Sequence, residues 1–358
     1  MFYLKNLKLT NFRCYNDHRF HFNPNRNIII GENAAGKTSI VEAIHCLGFV
    51  KSFKPIKDID LITKGSSFYN IKGEFSNEDN EITEIIASFD SKDKRIIKDK
   101  VVYRNISDYL GNINIVLFSP DDLDLVKGSP SVRRKFLDQN IGQINKPYLT
   151  ALIKYRKLLK ERNELLKTEE GIIDNDLLEV ITKTLIDEAK IIIKEREGFI
   201  LNINKDLKEF SMTLSNNKEC VQMVYNPHTN VENLWKTSID RKSYDLFSKT
   251  TTWGPTRDDI KILVNDEEAS IYCSQGQIRT ACIATKLALA RLYKGYNDKI
   301  IVILDDVLSE LDNNRQEQVL KLIDSDIQTF ITTTSLDNID EYVLKNSNIL
   351  QIKRGNKE

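Results

Sequence analysis

Cysteine is scarce in this chain, and its spacing excludes some classes of site. The five cysteines include no C-x-x-C pair and no Cys/His cluster, which argues against a structural zinc site and a disulfide framework. No segment approaches the ~20 uncharged apolar residues that a membrane span requires. The first residues, M-F-Y-L-K-N-L-K-L-T, alternate like a strand and lack the features of a signal peptide. We therefore expect a soluble, cytoplasmic protein with no membrane partner.

The chain also has no excess charge of either sign, since lysine plus arginine and aspartate plus glutamate both number 52. The whole molecule therefore supplies no attractive field for a polyanion, and any nucleic-acid binding must come from local patches. Two basic clusters are candidates, K-S-F-K-P-I-K at 51–57 and V-R-R-K at 132–135. Such clusters bind phosphates without reading base sequence, although a solvated surface explains each of them about as well.

Hydrophobic periodicity predicts an α/β fold with a helical insertion. Strand-like alternation dominates the first part of the chain, whereas residues 131–214 carry long helical stretches with few breakers. The last third predicts, in order, a helix at 275–294, a buried strand at 300–304, a helix at 313–324 and a strand at 328–333. We expect a head formed by residues 1–125 and 215–358, interrupted by a helical arm at 126–214.

The segment G-E-N-A-A-G-K-T at 31–38 fits the phosphate-loop pattern G-x-x-x-x-G-K-[ST] at every fixed position. It follows the apolar strand N-I-I-I and precedes a helical pattern, which is the context that the motif requires. In such loops the lysine, here Lys37, reaches the β- and γ-phosphates of ATP, and the hydroxyl of Thr38 is the expected Mg²⁺ ligand. The predicted nucleotide-binding residues of this segment are Gly31, Glu32, Asn33, Ala34, Ala35, Gly36, Lys37, Thr38 and Ser39.

A second motif, I-I-V-I-L-D-D at 300–306, is a run of strand-forming residues that ends in two carboxylates. As a buried strand it would place Asp305 beside the phosphate loop, where the carboxylate holds Mg²⁺ directly or through water. Asp306 is then positioned to orient or deprotonate the attacking water. The two motifs lie far apart in the sequence, so the helical arm must leave the nucleotide core and return to it.

The segment Y-C-S-Q-G-Q-I-R-T at 272–280 leads into another apolar-striped helical pattern. A helix N-terminus left open presents unpaired N–H groups and the positive end of the helix dipole, which suits an anion. A helix capped in the ordinary way by Ser274 is the alternative. The order S-Q-G-Q, I-L-D-D, S-E-L-D resembles that of ABC-type ATPase heads, whose serine signature caps the γ-phosphate held by a second subunit. That resemblance implies nucleotide contacts from Ser274, Gly276 and Gln277.

Over nearly its full length the chain resembles the bacterial RecF family, short-armed relatives of the SMC and ABC ATPases. The resemblance is carried by L-T-N-F-R-C-Y at 9–15, the phosphate loop, F-S-P-D-D-L-D-L-V-K-G-S-P-S-V-R-R-K-F-L-D at 118–138, Y-R-K-L-L-K-E-R-N-E-L-L-K at 155–167, W-G-P-T-R-D-D at 253–259, S-Q-G-Q-I-R-T at 274–280 and I-L-D-D-V-L-S-E-L-D at 303–312. It implies an ABC-type P-loop ATPase head, with mixed sheets and flanking helices, plus an inserted α-helical arm domain.

The resemblance also implies an ATP-dependent DNA-binding protein of recombinational repair and replication, with ATP and Mg²⁺ as cofactors. Two copies would close on ATP and bind double-stranded DNA or the single-strand/double-strand junctions at gaps. They would act with RecO and RecR to load RecA. Slow, DNA-stimulated ATP hydrolysis would then act as a timer for DNA binding.

Some positions fill the family pattern and others depart from it. Arg13 matches a head arginine that contacts the nucleotide. ABC heads usually have glutamate where this chain has the shorter Asp306, so we expect slow hydrolysis or a role shared with Glu310. The signature is C-S-Q-G-Q rather than L-S-G-G-Q, and no Q-loop glutamine is present at V-L-F-S-P-D-D. No histidine follows the last strand, so F-I-T-T-T-S leaves its threonines, and Thr334 among them, as the expected γ-phosphate sensor.

Two other classes of protein were weighed. The ATPase subunit of an ABC membrane transporter needs a surface for coupling helices and usually a full L-S-G-G-Q and Q-loop, both of which are missing here. A P-loop kinase for a small molecule predicts a lid of arginines and no signature that acts on a second subunit. Phosphate transfer to an acceptor other than water would favour the kinase.

Overall fold

The computed structural model of the protein describes residues 1–168, 173–336, 339 and 341–353. Its strands are β1 (Tyr3–Phe12), β2 (Tyr15–His21), β3 (Arg26–Ile30), β4 (Tyr69–Ser76), β5 (Ile82–Phe89), β6 (Lys94–Lys98), β7 (Val101–Tyr103), β8 (Asn114–Phe118), β9 (Val221–Asn226), β10 (Asp259–Val264), β11 (Glu267–Glu268), β12 (Ile300–Asp305), β13 (Gln328–Thr333) and β14 (Ser347–Gln351). Its helices are α1 (Lys37–Phe49), α2 (Ile106–Tyr109), α3 (Asp124–Lys127), α4 (Pro130–Ile144), α5 (Lys146–Leu166), α6 (Asn175–Leu214), α7 (Leu234–Asp240), α8 (Lys242–Ser248), α9 (Ala269–Tyr272), α10 (Gln275–Lys294), α11 (Asn313–Leu322) and α12 (Glu341–Lys345). The predicted helix 275–294 and strand 328–333 are confirmed to the residue.

The chain divides into two compact units. The first contains Met1–Asp122, Thr213–Asn216 and the described residues from Ile283 onward, and the second contains the described residues of Leu123–Met212 and Asn217–Cys282. The expected head comprised residues 1–125 and 215–358, whereas the segment Asn217–Cys282 groups here with the helical unit. The strands of that segment do not join either sheet of the first unit, because β9 and β10 pair with each other.

The first unit contains one antiparallel and one parallel sheet. The antiparallel sheet has the strand order β2-β1-β4-β5-β6-β7, and the parallel sheet has the order β14-β3-β13-β12-β8. Helix α1 contacts strands of both sheets, so its apolar residues and theirs form one core. Strand β12 is buried along its whole length, as a run of apolar, largely β-branched residues covered on both faces should be. The fold thus has the mixed sheets and flanking helices that the sequence predicted.

The parallel sheet brings the two predicted phosphate-site motifs to one edge. β13 lies between β3 and β12, with Thr333 beside Ile30 and Thr332 beside Asp305. The carboxyl ends of parallel strands meet at the same edge of a sheet, which is where ligands of such sheets bind. The phosphate loop after β3 and the aspartate that ends β12 are therefore neighbours despite their separation in sequence.

The second unit is held together by two buried arginines on its long helices. Arg162 of α5 pairs with Asp245 of α8 at 2.8 Å, and Arg196 of α6 pairs with Asp258 at 2.8 Å. All four side chains are buried, and buried charges are stable in a protein only when they are paired. These pairs explain why the segment 217–282 belongs to the helical unit.

Candidate nucleotide-binding site

The loop between β3 and α1 carries two residues in the left-handed region of backbone space, Ala34 with φ 63° and Gly36 with φ 111°. A Cβ atom on Gly36 would lie 2.6 Å from the hydroxyl oxygen of Tyr15, so both the conformation and the space require glycine at residue 36. Lys37 begins α1. The free N–H groups of the first helical turn therefore border the loop, as an anion site requires.

Lys37 is a buried cation. Its Nζ donates to the carbonyl oxygens of Gly31 at 2.7 Å and Glu32 at 3.0 Å, and it has no carboxylate partner among the residues that the structure describes. A buried ammonium held only by neutral carbonyls is incompletely compensated, because burial of a charge requires an opposite charge. The residues present thus fit an anionic group such as the β- and γ-phosphates of a nucleotide.

Asp305 is buried at the end of β12 and is held by a threonine of the neighbouring strand. The hydroxyl of Thr332 donates to Asp305 Oδ1 at 2.8 Å and accepts the backbone N–H of Asp306 at 3.0 Å. Burial raises the pKa of Asp305, and the hydrogen bond from Thr332 opposes that rise. Thr332 therefore positions the carboxylate, with its hydroxyl engaged as both donor and acceptor.

The donor set fits Mg²⁺. In phosphate sites this ion usually takes one or two protein oxygens and completes its octahedron with waters and phosphate oxygens. The Thr38 hydroxyl and the second carboxylate oxygen of Asp305, which accepts no hydrogen bond from the described residues, supply that number. In the described part of the chain, no group of three or more His, Cys, Asp or Glu side chains that could hold a metal ion is found.

A cavity of about 560 Å³ opens beside the phosphate loop. Its lining brings together three parts of the first unit: the loop and the start of α1, the turn between β1 and β2, and the segment 54–64. The cavity lining also includes Asp306, which follows β12. The backbone of Asp306 is left-handed with φ 56°, an uncommon conformation for a residue other than glycine. The lining residues are Arg13, Cys14, Asn33, Ala34, Gly36, Lys37, Thr38, Ser39, Glu42, Lys54, Asp60, Ile62, Lys64 and Asp306.

Arg13 lines this cavity, but it is already engaged in an ion pair. Its Nε and Nη2 donate to the two carboxylate oxygens of Glu42 at 2.7 and 2.9 Å, and its Nη1 donates to the carbonyl of Asp60 at 3.2 Å. Glu42 is buried on α1 and also accepts from the Ser52 hydroxyl at 2.5 Å. The hydrogen bond to Glu42 is the main reason that the pKa of Arg13 is raised. Sequence reasoning missed Glu42, because a glutamate inside a helical stripe resembles an ordinary surface residue.

The other predicted nucleotide-binding residues of the first unit are three residues of the phosphate loop and Thr334, which follows β13. Gly31 and Glu32 contribute carbonyls to Lys37, and Ala35 is buried. Thr334 is exposed after the end of β13 and is not among the residues that line the cavity. The nucleotide contacts of the predicted site residues stay predictions.

Ser274, Gly276 and Gln277 lie in the second unit, and they do not line the cavity. Ser274 caps α10: its Oγ accepts the N–H of Gln277 at 3.3 Å, while its own N–H donates to Gln277 Oε1 at 2.9 Å. This reciprocal pair of hydrogen bonds is a capping box. The N-terminus of α10 is therefore partly capped, whereas one interpretation of the sequence expected it to be open. The cap takes one N–H of the first turn, and the N–H groups of the first two helical residues have no partner within the helix.

The two basic clusters differ in the exposure and contacts of their cations. In the cluster 132–135, Arg133 pairs with Asp259 at 2.6 Å and Arg134 donates to the carbonyl of Asp258 at 2.9 Å. Two of its three cations thus make contacts inside the second unit, while Lys135 is exposed, and a DNA contact at this cluster stays a prediction. In the cluster 51–57, the side chains of Lys51, Lys54 and Lys57 are exposed, which says where they lie and not that they lack partners; Lys54 also lines the nucleotide cavity.

A strand–loop–helix with a buried loop lysine, joined through a parallel sheet to a buried strand-ending aspartate, defines a P-loop nucleotide-binding head. The sequence model of the RecF/RecN/SMC N terminal domain matches residues 3–357. The DNA replication and repair protein RecF of Halalkalibacterium halodurans is 38% identical over 99% of this chain and 98% of its own length, and that of Oenococcus oeni is 37% identical over 99% and 98%. The chain belongs to the RecF family.

Solved structures agree with this assignment. A structure of the recombination mediator protein RecF-ATPrS in the RecFOR pathway has a TM-score of 0.87 at 32% identity and covers 95% of this chain and 94% of its own. The Smc head domain of Pyrococcus furiosus, at 18% identity, has a TM-score of 0.58 and covers 100% of this chain and 95% of its own; it shares the fold alone. Within the described residues, no helix is both long and apolar enough to cross a membrane.

Proposed function

We propose that this chain is an ATP-dependent DNA-binding protein of recombinational repair and replication, in which ATP closes two copies over DNA and slow hydrolysis releases them. The observation that carries the proposal is the buried Lys37 ammonium, which two carbonyls hold beside a cavity large enough for a nucleotide. The named relatives, which match over nearly their full length, are DNA replication and repair proteins. Their names favour this function over a transporter or a kinase.

Within the site, each side chain has a distinct task. Lys37 holds phosphate oxygens, and Thr38 and Asp305 hold Mg²⁺. Asp306 holds a water for attack, and its shorter side chain, compared with the glutamate of other heads, slows hydrolysis. Thr332 keeps Asp305 in place through its hydrogen bond. Bound Mg–ATP supplies a phosphoanhydride bond for hydrolysis and a concentration of negative charge for the second copy to recognise.

The second copy recognises that charge through Ser274 and the first turn of α10. The hydroxyl of Ser274 and the N–H groups of Gln275 and Gly276 form an anion-binding group at the positive end of a 20-residue helix. Each copy gives its signature to the other copy's phosphate, so ATP binding and dimerisation are linked. DNA affinity then follows the nucleotide state.

The DNA ligand includes double-stranded DNA and junctions beside single-strand gaps, and the exposed lysines of the cluster 51–57 provide phosphate contacts. RecO and RecR are the partners in loading RecA, and the protein acts in the cytoplasm. A solved RecF relative is described as a recombination mediator of the RecFOR pathway, which supports this choice of partners.

Light scattering tests the proposal. The solution mass is measured with Mg–ATP and with Mg–ADP for the native chain and for Ser274→Arg, together with binding to a gapped duplex. The mass should double with ATP alone, the substitution should abolish the doubling, and DNA binding should follow the dimer. Equal DNA affinity with ADP and ATP, or a monomer in every condition, would contradict the ATP-gated switch.

A further inference from the structure

Helices α7 and α8 expose an unusual amount of aromatic surface. The exposed fractions are 40% for Trp235, 57% for Tyr244 and 86% for Phe247, and Ile239 is 56% exposed. Trp235 and Ile239 are four residues apart on α7, and Tyr244 and Phe247 are three apart on α8, so each pair shares a side of its helix. We call these four side chains the α7–α8 face. Single exposed apolar residues are normal on proteins, but a group that includes three aromatic rings on consecutive helices indicates a binding surface.

Helix α8, which carries two of these four side chains, is anchored firmly from behind. Asp245 of α8 is fully buried and accepts from Arg162 Nη1 at 2.8 Å, from the N–H of Thr252 at 2.9 Å and from Trp253 Nε1 at 3.1 Å. These bonds fix which side of α8 points inward. Tyr244 and Phe247 therefore cannot be buried by a rotation of the helix without breaking a buried ion pair, which is costly.

The long helix α6 lies beside the face and extends it. The Nζ of Lys183 lies 5.6 Å from the centre of the Trp235 ring, and the Nζ of Lys242 donates to Asn175 Oδ1 at 3.1 Å. Val180, one turn before Lys183 on α6, is 60% exposed. The aromatic side chains thus sit on a preformed, supported surface rather than on a loose loop.

Exposed cations outnumber exposed carboxylates along α7 and α8 themselves, whereas on the adjoining α6 Lys183 is paired with Glu179 at 2.6 Å. Between residues 234 and 249 the exposed cations are Lys236, Arg241, Lys242 and Lys249, whereas Asp240 is the exposed carboxylate of that stretch. A cavity of about 480 Å³ adjoins α7, and it is lined by polar groups that include Arg241, Asp240 and Thr237. Rings and cations are thus interleaved along one short segment of chain.

We infer that the α7–α8 face binds single-stranded DNA, with bases stacked on its aromatic rings and phosphates held by the flanking cations. Single-strand-binding surfaces combine these two features, because every base has a π-face and every nucleotide carries a phosphate. The excess of exposed cations along α7 and α8 favours a polyanion over an uncharged apolar partner. The inference rests on the proposed function and deepens it: the face takes the single-stranded side of a gap.

The two tryptophans of the chain provide a direct signal, since Trp235 is exposed and Trp253 is fully buried. With Mg–ATP present throughout, oligo-dT is titrated into the 358-residue chain while tryptophan fluorescence is followed, and fluorescence anisotropy gives affinities for labelled oligo-dT and for a blunt duplex. Oligo-dT should quench the native chain, and Trp235→Phe should remove the quenching while oligo-dT affinity is largely kept. No quenching in the native chain would overturn the inference.

The affinity test uses Trp235→Ala combined with Phe247→Ala, and separately Lys236→Glu combined with Lys242→Glu. Loss of a stacking ring should weaken oligo-dT binding at least about fivefold, and duplex binding should stay within about twofold of the native value. The charge variants should weaken oligo-dT binding and lower its salt dependence. Tyr296→Ala, which removes an exposed tyrosine of the first unit, is the matched control and should change neither affinity.

Three results distinguish a failure of the single-strand inference from a failure of the proposed function. Unchanged oligo-dT affinity in both double variants overturns the inference and assigns the face to a protein partner. Equal loss of oligo-dT and duplex binding overturns the single-strand assignment. If the native chain binds no DNA of either kind, the proposed function fails as well. All altered side chains are exposed, and thermal melting with ATP-dependent dimerisation checks that each variant is folded and switches normally.

Discussion

Arg13 and Glu42 form a two-point ion pair at the wall of the nucleotide cavity, with N–O distances of 2.7 and 2.9 Å. Arg13 has a left-handed backbone, with φ 55°, and Glu42 is buried on the helix that follows the phosphate loop. The pair therefore ties the turn after β1 to α1. It also fixes the position of the arginine that a nucleotide would meet.

Arg13→Ala should reduce both stability and ATP affinity. The substitution leaves the buried Glu42 carboxylate with only the Ser52 hydroxyl; because the Arg13 side chain is 24% exposed, the cost should lie below the about 3–5 kcal/mol of a fully buried pair. Arg13→Ala combined with Glu42→Gln should recover most of the stability but not the ATP affinity. Thermal melting and nucleotide binding measured on both variants separate the two effects. Native-like ATP affinity in the double variant would remove Arg13 from the nucleotide site.

Lys37→Ala should lower ATP affinity by about 10- to 100-fold, since a hydrogen bond to a charged group is worth about 1.5–3 kcal/mol. It should not lower the melting temperature of the nucleotide-free chain, because it removes an incompletely compensated buried charge. Isothermal titration and melting curves check the two parts. A large loss of stability without ligand would mean that the ammonium serves the fold rather than a phosphate.

Ser274→Asp separates the helix cap from a role in binding the neighbour's phosphate. Aspartate caps helices as well as serine does, so the melting temperature should be kept. Its negative charge repels a phosphate, so ATP-dependent dimerisation should be lost. Ser274→Ala is the matched control: it loses the cap, at a cost of about 1 kcal/mol, without adding charge. A Ser274→Asp variant that still doubles its mass on ATP would leave the residue as a cap only.

Tyr15→Phe should leave the protein as stable as before or raise its stability by up to about 1 kcal/mol. The Tyr15 hydroxyl is buried and has no hydrogen-bond partner among the described residues, and such a group carries a desolvation cost. Gly36→Ala should instead destabilise the loop and weaken ATP binding. The backbone φ angle at residue 36 is 111°, which alanine adopts only with strain, and the new Cβ would press on the hydroxyl of Tyr15. Denaturant unfolding at equilibrium measures both variants. A clear loss of stability in Tyr15→Phe would indicate that the hydroxyl has a water partner.

The sequence predicted well wherever the signal lay within a few consecutive residues. The phosphate loop follows β3 and opens α1, and the run 300–306 is a buried strand that ends at Asp305, as expected. The helix 275–294 and the strand 328–333 have the predicted ends because their periodic apolar residues stop where turn-forming residues begin. Motif order was also sufficient to identify the family, since it survives changes elsewhere in the chain.

Prediction was weaker wherever the answer depended on a partner distant in sequence. The basic cluster 132–135 looked available for DNA, but Arg133 pairs with Asp259 across the second unit. The segment 215–282 looked like a return to the head, but its strands form a sheet of their own. Neither pairing leaves a local pattern, because a charged or strand-forming residue has the same appearance whether its partner is water or protein.

The sequence by itself determined the class of site: Gly31, Gly36, Lys37 and Thr38 are specified by the geometry that a backbone needs to surround a phosphate, and that need is local. Only the tertiary structure decided which residues support the site and which surfaces remain exposed. The buried partner of Arg13, the threonine that holds Asp305 and the aromatic face of α7 and α8 each result from packing between distant segments. Burial depends on what covers a residue, and that is a property of the folded chain as a whole.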